Sequence, residues 1–404
     1  MTLWGLFLHF YQPPTQFPWV LKKITDECYR PLVKVFEDSP SARATVNING
    51  ILLEQLQYQG ASDVVDGFKR LVRSGKWEVT GTAKYHVILP LMPEKEALRQ
   101  IELQKTCIRE YLAPSSEPRG FFPPEMCASQ AIFPWIKNAG YEWALLSGTS
   151  CAGPWPSDFV GRHVSGLRLL FRDEVVSNQI SFDRLAPDVF LERVASAHAA
   201  AKKSYVITAM DAETYGHHIK NWEKEFLAKA FDISSKKTSK VQVSTLSGIV
   251  DAFASEKPAE IRDASWSTSP EDLEAGVPYP LWKDPRNPIH TLQWRVTDLA
   301  LEQVYLAESV VHVSPEAQHF AGIARAVLDA GLHSCQYWWA AKRPLTDVQM
   351  VYRGLWLLEE ALINATRAVI FTPGHESLKD DARARLKAAS EASGRLFEAL
   401  AAGA

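Results

Sequence analysis

Short apolar segments of the kind that form buried strands recur along this chain, and stretches with helical spacing lie between them. The helical spacing is clearest over residues 62–74, where Gly75 ends it, and from Pro93 to about Tyr111. Strands that alternate with helices favour a parallel sheet or a barrel. The predicted strands are residues 3–9, 44–48, 77–80, 120–122, 143–147, 167–171, 205–210 and 242–244.

The pattern changes near residue 255. Residues 257–288 are rich in Pro, Ser and Asp, which predicts loop structure. Beyond them the spacing is that of long amphipathic helices, predicted over residues 291–311, 315–330, 346–371 and 378–402. We therefore predict a barrel domain over residues 1–255, a linker loop at the barrel mouth over 256–290 and a helical domain over 291–404.

Composition and charge narrow the classes of partner. The net charge of -3 shows no basic excess, so we expect neither nucleic acid nor an anionic membrane as a partner. The apolar segment at residues 3–9 lacks a basic lead and a cleavage site, and no stretch is long enough to span a bilayer. Five scattered cysteines without a CxxC pair indicate reduced thiols and a cytoplasmic location. The oligomeric state stays open.

Carboxylates follow two of the predicted strands. Glu125 comes shortly after the strand at 120–122, and Asp211 directly follows the strand at 205–210. The carboxyl ends of parallel barrel strands form the face where barrel enzymes hold their active sites. Two carboxylates that face one pocket there are what a glycosidase requires. An exposed loop glutamate and a helix-capping aspartate are the structural alternatives.

Five short segments, taken in order, resemble the five sequence regions that define glycoside hydrolase family 57. The first contains His9, Gln12 and Pro13, with Tyr11 where the family usually has His, and the fifth lacks the Asn-Asp often found there. The resemblance extends over about residues 3–340. The five segments are residues 8–13, 75–80 (continued by 85–91), 122–125, 211–216 and 333–339.

The resemblance implies a distorted (β/α)7 barrel with a C-terminal α-helical domain, within the α/β class. It also implies retaining cleavage of α-1,4-glucosidic bonds in an α-glucan or malto-oligosaccharide. Glu125 would be the nucleophile and Asp211 the general acid/base, with a covalent glycosyl-enzyme between them. No organic cofactor and no metal are expected.

The same regions supply candidate substrate-binding residues. Each has a structural alternative: the histidines can be core residues, Glu213 can be a salt-bridged helix residue, and one of two adjacent tryptophans must face a helix interface. Trp19, Trp155, Trp222 and Trp282 are further candidate sugar platforms. The candidates implied by the resemblance are His9, Gln12, Glu78, His86, Glu213, His217, Trp338 and Trp339.

Several functions remain open at this stage. Water as the acceptor gives an α-amylase, whereas a sugar acceptor gives a 4-α-glucanotransferase or a branching enzyme. A catalytically silent glucan-binding relative is a third possibility, which the Tyr11 substitution and the divergent fifth region favour. A metal-dependent polysaccharide deacetylase on a related barrel would need two histidines one helical turn apart, and the sequence contains no His-x-x-x-His.

Overall fold

The computed structural model describes residues 1–114, 117–197, 202–310, 314–341 and 346–403. The chain forms two compact units. The first comprises Met1–Gln12 and Gln16–Ser267, and the second comprises Pro13–Thr15 and Thr268–Ala404. The boundary after Ser267 falls within the segment 256–290 that the sequence predicts as a linker.

The described part of the first unit contains ten strands. All eight predicted strands are present, with ends that differ from the prediction by at most one residue. Two further strands of three residues each were not predicted, because neither contains an apolar run. The strands are β1 (Thr2–Phe10), β2 (Ala44–Ile48), β3 (Trp77–Val79), β4 (Gly120–Phe121), β5 (Trp143–Leu146), β6 (Val160–Arg162), β7 (Arg168–Phe171), β8 (Ser204–Asp211), β9 (Val241–Ser244) and β10 (Glu256–Pro258).

Helices connect most of these strands, as the alternating pattern predicts. Three π-helical turns extend them: Thr25–Tyr29 between the first two helices, Ile108–Leu112 after the fifth and Glu223–Ala228 before the ninth. The helices are α1 (Pro18–Ile24), α2 (Arg30–Asp38), α3 (Gly50–Tyr58), α4 (Ser62–Arg73), α5 (Glu94–Cys107), α6 (Ile132–Asn138), α7 (Glu174–Ser181), α8 (Pro187–Ala197), α9 (Lys229–Ser235) and α10 (Leu246–Ala252).

Seven of the strands form a parallel ring in the order β1-β2-β3-β4-β5-β7-β8. Five of the seven contacts are regular parallel ladders. Gly81 joins β3 to β4, since its N–H donates to the Gly120 carbonyl (2.8 Å) and its carbonyl accepts from the Phe122 N–H (2.9 Å). The Asp173 N–H donates to the Ile207 carbonyl (2.8 Å) and links β7 to β8. The predicted (β/α)7 barrel is therefore confirmed.

Side chains along β1 alternate between two apolar clusters, as the two-residue period of a strand requires. Trp4 and Phe10 pack with helix residues outside the ring. Phe7 packs with strand residues across the ring and stacks on Phe122 at 5.0 Å between ring centroids. His9 has the same parity as Phe7, so it belongs to the inner face at the carboxyl end of the strand.

The described part of the second unit is helical. Its four long helices match the four predicted ones closely, although the predicted end at residue 311 lies outside the described residues. A five-residue helix that was not predicted begins at a capping box formed by Ser269 and Asp272. No helix in the described ranges is long and apolar enough to cross a membrane. The helices are α11 (Pro270–Glu274), α12 (Pro288–Val310), α13 (Pro315–Gly331), α14 (Cys335–Trp338), α15 (Val348–Ile370) and α16 (Glu376–Ala401).

Candidate active site

Glu125 lies in a tight turn just beyond the end of β4. Glu125 and Met126 have φ values of 58° and 52°, in the left-handed region that non-glycine residues rarely adopt. Trp266 holds this turn from the side: its backbone N–H donates to the Glu125 carbonyl (3.2 Å), and its indole N–H donates to Oε2 of the carboxylate (2.7 Å). Strain of this kind persists only where surrounding contacts enforce it, and it concentrates at functional sites.

Asp211 is the last residue of β8 and pairs in register with His9 of β1. His9 also pairs in register with Asn47 of β2. The three residues thus share one layer at the carboxyl end of the ring, where the sequence predicts the reacting groups.

Burial dominates the electrostatics of the two carboxyls. It raises the pKa of Glu125 to about 8, to which the negative charge of Asp211 also contributes, while the Trp266 hydrogen bond opposes the increase. Burial raises the pKa of Asp211 to about 6, against the positive charge of Arg172. Because each carboxyl is poorly solvated and their charges repel, the pair retains a proton near neutral pH.

Arg172 follows β7, and its guanidinium carbon lies 5.9 Å from the centroid of the Trp266 ring. Its Nε donates to the Ala209 carbonyl (2.8 Å), and its guanidinium forms an ion pair with Glu174. The next residue, Asp173, caps α7 by accepting from the Val176 N–H (3.0 Å).

The two predicted histidines stack on each other at 4.9 Å between ring centroids. His9 Nδ1 donates to the Asn47 amide oxygen (2.7 Å), and burial lowers the His9 pKa to about 4, so the neutral ring keeps Nε2 as an acceptor. His86 Nδ1 lies 3.7 Å from Glu125 Oε1. Tyr11, which stands where the family usually has His, stacks on His86 at 4.0 Å between ring centroids.

Gln12 and Glu213, two of the predicted substrate-binding residues, contact each other. Gln12 Nε2 donates to Glu213 Oε1 (2.8 Å), and the Tyr29 hydroxyl donates to the same oxygen (2.5 Å). Glu213 is buried and two residues from Asp211, whose charge raises its pKa further after burial has done so.

The remaining candidates lie apart from the Glu125–Asp211 layer or in the other unit. Glu78 pairs in register with Thr45, itself opposite Phe7, two residues below His9. Its carboxylate accepts from the Thr45 hydroxyl (2.7 Å) and the Ser247 N–H (3.1 Å). His217 Nδ1 donates to a Glu27 carboxylate oxygen (2.7 Å).

The six tryptophans that the sequence suggests as sugar platforms divide into three pairs by burial. Trp338 and Trp339 belong to the second unit and pack edge to face at 4.6 Å between ring centroids, both half-buried. Trp222 and Trp282 are buried, so the sugar-platform interpretation is wrong for these two, because stacking needs an accessible ring face. Trp19 remains exposed, and Trp155 is partly exposed with its indole N–H on the Gly148 carbonyl (2.9 Å).

Two observations concern metal binding and the state of the cysteines. In the part of the chain that the structure describes, no three or more His, Cys, Asp or Glu side chains are grouped so that they could hold a metal ion. Each of the five cysteines is a free thiol.

Sequence reasoning missed Trp266, Tyr29 and the Arg172–Glu174 pair. Trp266 lies 141 residues after Glu125, inside a segment that looks like featureless loop. Its only signal is an aromatic residue in a Ser-rich stretch just beyond the barrel.

The sequence of this chain is similar to those of known proteins. The family model of glycosyl hydrolase family 57 matches residues 8–262, which is more than half of the chain. An alpha-amylase from Pyrococcus horikoshii is 29% identical over 139 residues, or 34% of this chain and 21% of that protein. A 4-alpha-glucanotransferase from Thermococcus litoralis is 25% identical over 139 residues, or 34% of this chain and 20% of that protein. The match therefore spans about a fifth of the length of each relative.

The fold is also similar to solved structures. The crystal structure of a GH57-type branching enzyme from Pyrococcus horikoshii gives a TM-score of 0.74 at 14% identity, covering 96% of this chain and 94% of that chain. At this identity the likeness concerns the fold alone. With the family match over most of the barrel unit, the chain belongs to glycosyl hydrolase family 57.

Proposed function

We propose that this chain is a retaining α-glucan-active glycoside hydrolase of the α-amylase type, with Glu125 as nucleophile and Asp211 as general acid/base. One observation carries the proposal: the partly buried carboxyls of Glu125, just beyond β4, and of Asp211, at the end of β8, lie at the carboxyl face of the barrel, where the Asp211 charge raises the pKa of Glu125. The relatives named alpha-amylase and 4-alpha-glucanotransferase support an α-glucan substrate.

The reaction follows from these two groups. A Glu125 oxygen attacks the anomeric carbon while Asp211 gives its proton to the leaving glycosidic oxygen, so that one C–O bond forms as the other breaks. Asp211, now ionised, then takes a proton from water, whose oxygen displaces Glu125 from the anomeric carbon. Two inversions at the same carbon give net retention.

Before the reaction can begin, the proton that the Glu125–Asp211 pair retains has to move from Glu125 to Asp211. In the free protein the higher pKa belongs to Glu125, whereas attack requires Glu125 ionised and Asp211 protonated. A bound sugar that develops positive charge at the anomeric carbon favours the Glu125 carboxylate and moves the proton to Asp211. The Trp266 N–H, 2.7 Å from Oε2, favours the same ionised form.

The neighbouring side chains have distinct proposed roles. His9, with Nε2 as an acceptor, and His86, near Glu125, are proposed to contact sugar hydroxyls beside the bond that breaks. Glu78, Gln12 and Glu213 remain proposed substrate-binding residues, and their hydrogen bonds to neighbouring side chains orient them. Trp338 and Trp339 remain proposed sugar platforms, and His217 a proposed outer substrate ligand. The five free thiols favour a cytoplasmic location.

Transfer to a sugar acceptor is the second candidate, because the 4-alpha-glucanotransferase relative matches over a segment as long as the alpha-amylase match. The same two carboxyls serve both reactions. The difference is whether Asp211 deprotonates water or a sugar hydroxyl.

Product analysis of maltoheptaose tests both candidates. Shorter products alone indicate hydrolysis, products longer than the substrate indicate transfer, and binding without turnover indicates a silent relative. We expect Asp211→Ala to lose about 10²–10⁴-fold in rate, the range for a general acid/base. We expect Glu125→Ala to lose at least as much, and exposed Glu192→Gln to match the wild type.

Azide separates the two roles. With an aryl maltotrioside, whose leaving group needs no proton, azide should give Asp211→Ala a glycosyl azide of retained configuration and Glu125→Ala one of inverted configuration. If either variant cleaved maltoheptaose at the wild-type rate, the assignment of that carboxyl would be wrong.

A further inference from the structure

A π-helical turn, Thr25–Tyr29, contacts the segment that carries Asp211. The Cys28 thiol donates to the Ala212 carbonyl (3.1 Å), and the Tyr29 hydroxyl donates to Glu213 Oε1 (2.5 Å). The preceding residue, Glu27, accepts from His217 Nδ1 (2.7 Å). Three consecutive residues therefore bind the segment that begins at Asp211.

The local backbones are shaped for this contact. The turn is a π-helical insertion between α1 and α2, and such insertions occur frequently at functional sites. Gly216 has φ 113°, and a Cβ there would lie 2.1 Å from the Glu27 carbonyl oxygen. Only a glycine allows the segment to pass this close to the turn.

We propose that Tyr29 is a positioning residue for the reaction: its hydrogen bond favours the ionised form of Glu213, and the Glu213 charge in turn favours the protonated form of Asp211. Tyr29 and the π-helical turn lie outside the five segments that resemble the family's sequence regions. The catalytic consequence rests on the proposed function, whereas the link between Tyr29 and Glu213 does not.

Among the titratable groups around Glu213, Asp211 is the one whose ionisation is coupled to that of Glu213 near neutral pH. Burial raises the pKa of Glu213 to about 7, the Asp211 charge adds to the increase, and the hydrogen bonds from Tyr29 and Gln12 lower it. Cys28 and Tyr29 stay neutral, since burial raises the pKa of each well above its ordinary value. The charge of Glu223 also raises the pKa of Cys28. Glu213 thus titrates in the neutral range, where one hydrogen bond decides its charge.

The pH dependence of kcat/KM tests the proposal, with Tyr29→Phe against a matched Tyr58→Phe on the exposed surface. Tyr29→Phe removes a hydrogen bond to the charged Glu213 carboxylate. The acidic limb of the kcat/KM profile should therefore move to higher pH by about one unit. Because the proton moves from Asp211 to Glu213, the loss should be larger on maltoheptaose than on an aryl maltotrioside that needs no acid. An equal loss on both substrates with an unmoved limb would overturn the proposal.

Thermal unfolding provides a readout that needs no activity. At pH 5 Glu213 is protonated in wild type and in Tyr29→Phe, so the difference in melting temperature should be small. At pH 8 Glu213 is ionised and accepts the full bond only in the wild type, so the difference should be larger. A difference that does not change with pH would overturn the link between Tyr29 and Glu213. A wild type that cleaves no glucan, with the pH-dependent difference present, would overturn the proposed function alone.

Discussion

Glu125 is unfavourable in two respects: its backbone has a positive φ, and its carboxyl is held where burial disfavours the ionised form. Two successive non-glycine residues with positive φ cost on the order of 1–3 kcal/mol each. The Glu125 side chain is only 17% exposed, although it ionises in the proposed reaction. Both features fit a residue whose geometry is set by function rather than by stability.

This burial leads to a prediction about stability and pH. Burial holds the pKa of Glu125 at about 8, above its ordinary 4.5, so the folded protein retains a proton that the unfolded chain releases between those values. Wild-type stability therefore falls as the pH rises from 4.5 to about 8. Glu125→Gln cannot titrate, so its free energy of unfolding relative to wild type should be higher at pH 8 than at pH 4 by roughly 4 kcal/mol.

Urea unfolding of the two proteins at pH 4 and pH 8 measures this difference. Glu192→Gln, on the exposed side of α8, is the control and should show a difference that does not change with pH. If the stability of Glu125→Gln relative to wild type were the same at both pH values, the Glu125 carboxyl would not be ionising against its burial.

At the level of elements, strands and long helices were predictable because their signal is local. An apolar run such as that of β2 or an amphipathic spacing such as that of α4 is set by which face each residue buries. β6 and β10 were not predicted, because three residues are too few to show the apolar run or the alternation that identifies a strand. Glu125 and Asp211 were found because each follows a recognisable strand, and a parallel ring brings the ends of its strands to one face.

The hydrogen-bond partners of Glu125 and Glu213 could not be predicted from the sequence in this way. Trp266 reaches Glu125, and Tyr29 reaches Glu213, from segments far away in sequence, so their contacts exist only once the ring has closed. Glu78 shows the converse. Its position in a matching region suggested a substrate ligand, whereas only the register of β3 with β2 reveals its neighbour Thr45, whose hydroxyl donates a hydrogen bond to the Glu78 carboxylate.

The contact between β4 and β5 gives a prediction at this scale. A Cβ on Gly120 would lie 2.0 Å from the Trp143 ring, and that indole is fixed by its hydrogen bond to the Ser247 hydroxyl (2.9 Å). Because the ring cannot move away, Gly120→Ala should lower the free energy of unfolding by roughly 1–3 kcal/mol, the usual cost of overpacking. Gly153→Ala, with nothing within 4 Å of its Cβ, is the control and should stay within about 0.5 kcal/mol of wild type.

Denaturant unfolding followed by circular dichroism measures both variants. A Gly120→Ala protein as stable as Gly153→Ala would mean that β4 and Trp143 separate easily. The close approach of the two strands would then not be needed to hold the turn that carries Glu125.

Across the whole barrel unit, the ring is unevenly closed. β1 pairs with β8 along one side and with β9 and then β2 along the other, so it is the most enclosed strand. The junction of β7 and β8 has no regular ladder between the strands; the Asp173 N–H reaches the Ile207 carbonyl, and the Arg172 side chain reaches the Ala209 carbonyl. Asp211 lies just beyond this junction, so the least regular part of the ring carries the proposed acid.

Native-state hydrogen exchange should detect this difference. Amides in the centre of β1, residues 4–8, should exchange only through unfolding of the whole unit, because bonded strands flank them on both sides. The Asp173 amide needs only the junction to open, so it should exchange about tenfold faster or more at the same pH. Mass spectrometry with fragmentation to single residues measures both. If Asp173 exchanged as slowly as β1, the junction would open only when the barrel unfolds, and the ring would be as rigid beside Asp211 as at its centre.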